Sequence, residues 1–153
     1  KFKDEKWYIN TNITYSFGSG KVTGSYGDAT AKAHADTLYT AQDETDGLGT
    51  EGEVKAEGLK TILIRNVKAQ ANQLLSETDW YVTRKTEKST AIPSNITTWR
   101  NGIRSKQAAM ETSITNASDT PALETLYTYV NTADEGDPVV MERPLGEFPE
   151  LGS

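Results

Sequence analysis

The chain has 153 residues, no cysteine and one histidine, and these two shortages remove much of the chemistry a protein can carry. Without cysteine there are no disulfides, no thiolate nucleophile and no cysteine-based zinc site. His34 stands in an Ala-rich polar segment with no second histidine to share a metal and no context for a Ser-His-Asp arrangement. It reads as an ordinary surface or packing residue. Long apolar runs are also missing. Ile62-Leu63-Ile64 and Val139-Val140-Met141 are the most the chain offers, against the ~20 residues of a membrane helix. Lys1-Phe2-Lys3-Asp4-Glu5-Lys6 has no signal-peptide core behind it.

Other sites of chemistry fail on spacing. Gly18-Ser19-Gly20 lacks the Gly-Lys-Ser/Thr ending of a phosphate loop, and a hairpin turn explains it better. Asp43, Glu44 and Asp46 are not at the intervals of a calcium loop. The remaining carboxylates are scattered over polar positions, so none pairs for general acid-base work. The expectation is therefore a non-enzymatic protein with no catalytic, cofactor-binding or metal-binding residues.

What is present is acid and polarity. The net charge is -6, the pI about 4.8 and the mean hydropathy -0.62, so the overall field that draws proteins to phosphate backbones or anionic lipid is absent. Arg84, Lys85, Lys88, Arg100, Arg104 and Lys106 form a local basic group; contact with acidic neighbours or solvation accounts for it. Neither nucleic acid nor a membrane is expected as a partner. Hydrophobic residues make up 35%, which implies a modest core, with partners supplying part of the burial.

Along the chain, Trp7, Ile9, Ile13, Tyr15 and Phe17 share odd numbers, with polar residues between Ile13 and Phe17. That period of two predicts a strand with one buried side. The Gly18-Ser19-Gly20 break, followed by Val22, Thr23 and Tyr26, completes a β hairpin over 1–27. The alanines between 29 and 42 suggest a short helix capped by Asp28, followed by an acidic linker up to 52. A helical domain then spans 53–131. Leu59, Ile62, Leu63, Val67, Ala71, Leu74 and Leu75 fall at helical spacing, Gly58 weakening the start. Asp79 to Thr90 reads as a connection, and Ile92-Pro93 opens a second helix with Ile96, Trp99, Ile103, Met110 and Ile114 on one face. A third helix starts near Pro121, capped by Asp119 or Thr120. Pro138, Pro144 and Pro149 punctuate the segment 132–153, which is unlike a helix. It reads as an extended arm along a neighbouring subunit or as a terminus folded back on its own core.

The segment Leu74-Leu75-Ser76-Glu77-Thr78-Asp79-Trp80 resembles the Leu-Leu-x-x-Thr-Asp-Trp element of phage tail-fibre-assembly and tail-chaperone-like families, of the type met in phages of marine bacteria and in cyanophages. In those families a second helix carries Tyr-Arg-x-x-Leu-Arg, and here Trp99-Arg100-Asn101-Gly102-Ile103-Arg104 takes its place, with Trp for Tyr and Ile for Leu. The resemblance covers about a third of the chain, from Arg65 to Glu111. It implies a packing element, a helical hairpin in which Leu74, Leu75 and Trp80 close onto Trp99 and Ile103 with Asp79 capping the turn.

The expected fold is α+β: an N-terminal β hairpin, a central antiparallel helical hairpin with a third helix, and an extended C-terminal arm. The expected role is a virion structural protein, in the tail, tail fibre or neck, assembled in the host cytoplasm. It would be a homo-oligomer in contact with other phage structural proteins. Trp7 and Ile9 on the hairpin, with Val139, Val140, Met141, Leu145 and Phe148 on the arm, are the candidate interface residues. Two other roles fit the same residues. One is a tail-assembly chaperone absent from the mature particle. The other is a decoration or host-glycan adhesion module using exposed aromatics, although Trp80, Tyr81, Trp99, Tyr127 and Tyr129 read more simply as packing residues.

Overall fold

Ser19 and Gly20 both take positive φ, 51° and 73°, the backbone of a two-residue turn whose twist matches that of its flanking strands. In the computed structural model, which describes residues 1–152, this turn closes the hairpin that the period of two predicts. The fold is α+β, with that antiparallel hairpin near the N-terminus followed by several helices. The chain divides into two compact units, one of residues 1–59 with 118–124, the other of 60–117 with the chain from Thr125 onward.

The first unit holds β1 (Tyr8–Ile9), β2 (Ile13–Gly18), β3 (Lys21–Tyr26), β4 (Thr30–Ala31), β5 (Thr37–Leu38), α1 (Ala41–Thr45) and β6 (Val54–Ala56). The strands form separate antiparallel pairs, β1 with β4, β2 with β3 and β5 with β6. The expected helix over 29–42 is not formed. Alanine is the best helix former, but propensity yields to tertiary context, and here backbone pairing overrides it: Lys32 N–H donates to the Trp7 carbonyl, and the Ala33 carbonyl accepts from Leu59 N–H. The short helix lies further on, at α1, and its cap is Thr40 in place of Asp28. The Thr40 hydroxyl accepts from Asp43 N–H while the Asp43 carboxylate accepts from Thr40 N–H, so one acid of the expected linker is a capping residue. The returning segment completes this unit. Thr120 Oγ1 donates to the Lys32 carbonyl at 2.6 Å, and the Tyr8 hydroxyl donates to Glu124 at 2.8 Å. Thr120 and Leu123 are buried there with Trp7 and Tyr8.

The second unit is built on α2 (Leu59–Ser76), α3 (Asp79–Lys88), α4 (Ser94–Asn116) and the latter part of α5 (Thr120–Tyr127). On α2, Leu63, Val67 and Ala71 recur every fourth residue and are buried; α4 buries Ile96, Trp99, Ile103, Met110 and Ile114. The two helices run antiparallel. Lys60 Nζ at the start of α2 reaches the Thr115 carbonyl near the end of α4, and Arg100 near the start of α4 reaches the Leu75 carbonyl at the end of α2. Helix α3 corrects the expected connection after Asp79. Its residues lack an apolar stripe and none is buried, but Asp79 in the first turn and Lys85 and Lys88 in the last suit the helix dipole. Ser89, at φ 52°, ends it in a left-handed conformation.

The C-terminal segment takes the second of its two expected courses, folded back rather than extended as an arm. β7 (Val130–Asn131) pairs antiparallel with β8 (Met141–Glu142), so the chain doubles back on itself. Beyond β8, Leu145 N–H donates to the Leu126 carbonyl, and the Leu145 side chain is buried. The Pro149 carbonyl accepts from Trp99 Nε1 at 2.9 Å. Gly102, an apparent weak point of α4, makes room for this: a Cβ there would stand 3.2 Å from the Pro149 ring.

Candidate interaction surfaces

Pairing of β2 with β3 sets Ile13 opposite Tyr26, Tyr15 opposite Gly24 and Phe17 opposite Val22. Side chains alternate across a strand pair, so these residues share one face, while Thr14, Ser25, Ser16 and Thr23 share the other. The apolar face is not buried. Tyr15 is 72% exposed, Phe17 78% and Val22 67%, and Ile13 and Tyr26 are also exposed. Gly24 lets the Tyr15 ring lie across the ribbon, since a Cβ there would come within 3.1 Å of it. Phe2 extends the patch, its ring centroid 5.2 Å from that of Tyr26. Between Trp7 and Gly27 the only charged residue is Lys21. Lys21 pairs with Gly18 at the tip, on the polar face.

The residues expected at interfaces fall on both sides of the surface. Trp7 is corrected: it is buried in the first unit, beside Tyr8. Its neighbour in the pattern, Ile9, is exposed. On the tail, Val139, Val140 and Met141 are exposed around the β7–β8 turn. Leu145 and Phe148 are corrected as arm residues, since Leu145 is buried and Phe148 packs against the cluster of Ala71, Trp99 and Ile103. Leu74 and Leu75 pack on that same cluster. Trp80 does not close onto Trp99. It lies on α3, 51% exposed, with its ring 3.8 Å from that of Tyr81 and the Arg84 guanidinium 4.8 Å from its centroid.

The junction that Trp80 was expected to close is made by Arg100. Its guanidinium donates to the Leu75 carbonyl at 2.8 Å, to Thr78 Oγ1 at 2.7 Å and to the Asp79 carboxylate at 2.8 Å. Asp79 thus holds the arginine rather than capping the turn. Arg100 and Thr78 are both buried. The only signal for this in the sequence is the Arg of Trp99-Arg100, at a position that its helix turns inward.

No family model, curated protein or solved structure matches the chain. The surfaces therefore stand on their own chemistry. Among the described residues no group of His, Asp and Glu is placed to hold a metal ion, and no helix is long and apolar enough to cross a membrane. The Tyr129 hydroxyl donates to Glu147, which raises the tyrosine pKa, and Arg143 bridges back to the same carboxylate. The β2–β3 face, expected as a core face, is a contiguous exposed apolar surface. Its signal in the sequence is an alternating apolar strand with almost no charge and a single hairpin to carry it.

Proposed function

We propose that this chain is a non-enzymatic bacteriophage virion structural protein, in the tail, tail fibre or neck, that works through contacts between subunits. One observation carries the contact half of this reading: a two-stranded ribbon presents tyrosine, phenylalanine, isoleucine and valine to solvent on one face. A lone hairpin is marginally stable in water, and a contiguous exposed apolar patch marks an interaction site. Covering this face would stabilise the hairpin and remove the patch together.

The phage half is supported by the resemblance of Leu74 to Trp80, with Trp99 to Arg104, to the helical element of phage tail families. In this chain Leu74, Leu75, Trp99 and Ile103 form a core and Arg100 ties the helix ends, a scaffold from which a contact surface can be displayed. Mass spectrometry of purified particles of the encoding phage tests the reading. Peptides of this chain at a fixed stoichiometry to known structural subunits are the expected result. Their presence in infected-cell extracts and absence from particles would overturn it in favour of an assembly chaperone.

A further inference from the structure

The identity of one partner of the β2–β3 face follows from its charge and size, given the reading of the chain as a contact protein. In a chain with 25% charged residues, this face has none. A partner selected by opposite charge has nothing here to recognise, and a second copy meets no like-charge repulsion. Proline, one of the devices that keep exposed strands apart, is missing from Ile13 to Tyr26, and the one charge there, Lys21, lies on the polar face.

The area also fits. Aromatic side chains bury ~150–250 Å² each; at the exposures of Tyr15, Phe17, Tyr26 and Phe2, with Ile13 and Val22 added, roughly 600 Å² per copy remains to be covered. A stable protein–protein contact covers ~800 Å² per partner, and the backbone and side chains around the patch make up a difference of that order. An interface in which each copy uses the same patch closes about a two-fold axis and leaves no open end. We propose that the chain self-associates by packing this face against the same face of a second copy, the two ribbons stacked as layers rather than joined edge to edge. Stacking buries the aromatic rings, whereas edge pairing leaves them in water.

The test is the solution mass of the full chain by light scattering over a concentration series, with Tyr15→Ser/Phe17→Ser beside it. The wild-type mass should double as concentration rises, and the double variant should associate ~100-fold more weakly or worse with its helical circular dichroism unchanged. Because the chain has no cysteine of its own, single cysteines report the face without deleting the aromatics. Val22→Cys should cross-link between copies with a short bis-maleimide, and Thr23→Cys, on the polar face, should not. A wild-type chain that stays monomeric, a double variant that associates normally, or cross-linking through Thr23→Cys alone would each overturn the proposal. A monomer still found in virions would overturn self-association while leaving the structural reading intact; absence from virions would remove that reading separately.

Discussion

The Arg100 guanidinium donates to the Leu75 carbonyl at 2.8 Å, tying the start of α4 to the end of α2 at an acceptor that also takes the Thr78 N–H and hydroxyl. Thr78 and Asp79 accept from the same group, but they differ in exposure. The arginine side chain is 9% exposed and that of Asp79 61%. Removing the arginine deletes two charge-assisted hydrogen bonds made by a buried cation, although the Leu75 carbonyl keeps its donors from Thr78. Removing the carboxylate deletes a largely solvated pair. Arg100→Ala should therefore cost ~1.5–3 kcal/mol and Asp79→Asn less than ~1 kcal/mol, read as the difference in urea midpoint against the wild type. Equal costs would mean that the ion pair, rather than the backbone contact, holds the junction.

Gly58 has no room for a side chain. A Cβ there would stand 2.3 Å from the Ala35 carbonyl carbon and oxygen, and the Gly58 N–H donates to Asp36 at 2.6 Å. Gly58 stands immediately before α2, a position where glycine is also preferred to alanine. The backbone clash adds to that preference, and Gly58→Ala should lower stability by ~1–3 kcal/mol. A raised thermal midpoint would refute this close approach.

Asp43 accepts from Lys55 Nζ at 2.6 Å and from the backbone and hydroxyl of Thr40. The hydrogen bond from Lys55, then those from Thr40, lower its pKa from 3.8 to about 2. A lowered folded-state pKa means that the charged carboxylate stabilises the fold above the unfolded value of 3.8, and that this contribution is lost as pH falls towards about 2. An NMR titration of the Asp43 carboxyl should have its midpoint near 2, and Lys55→Met should move that midpoint upward. A midpoint near 4 in the wild type would show that the capping contacts do not persist in solution.

Trp99 anchors the tail through its indole N–H on the Pro149 carbonyl. Trp99→Phe keeps most of the ring in the cluster with Ala71 and Ile103 and deletes the donor. The global cost should be ~1–2 kcal/mol, and the segment after Leu145 should become several-fold more sensitive to limited proteolysis. Unchanged cleavage would place the anchor at Leu145 alone.

Much of the helical unit was legible because Leu63, Val67 and Ala71, like Trp99 and Ile103, announce a buried stripe by spacing alone. Helix α3 was not, since none of its residues is fully buried and its support comes from charges at its ends. The strands at Thr30–Ala31 and Thr37–Leu38 were hidden by alanine, whose local preference yields to pairing partners distant in sequence. The hairpin shows a different gap. Its period of two correctly marked Ile13, Tyr15 and Phe17 as one face, but periodicity reports which residues share a side and not whether anything in the same chain covers it. Trp7 and Leu145 were misplaced for the converse reason: both are large apolar residues that turn out buried, a property of tertiary packing that no local pattern records.

The first unit is discontinuous, and this has a consequence for synthesis. Thr120 donates to the Lys32 carbonyl and Glu124 accepts from the Tyr8 hydroxyl, so that unit lacks its final pieces until residue 124 has left the ribosome. At ~5–20 residues per second, the nascent N-terminal strands wait for several seconds while the helices of the other unit emerge. Neighbouring ribosomes on one message would hold such incomplete chains close together, with the Tyr15 and Phe17 side chains already made. The order of translation thus gives an early opportunity for two chains to meet before either has finished folding.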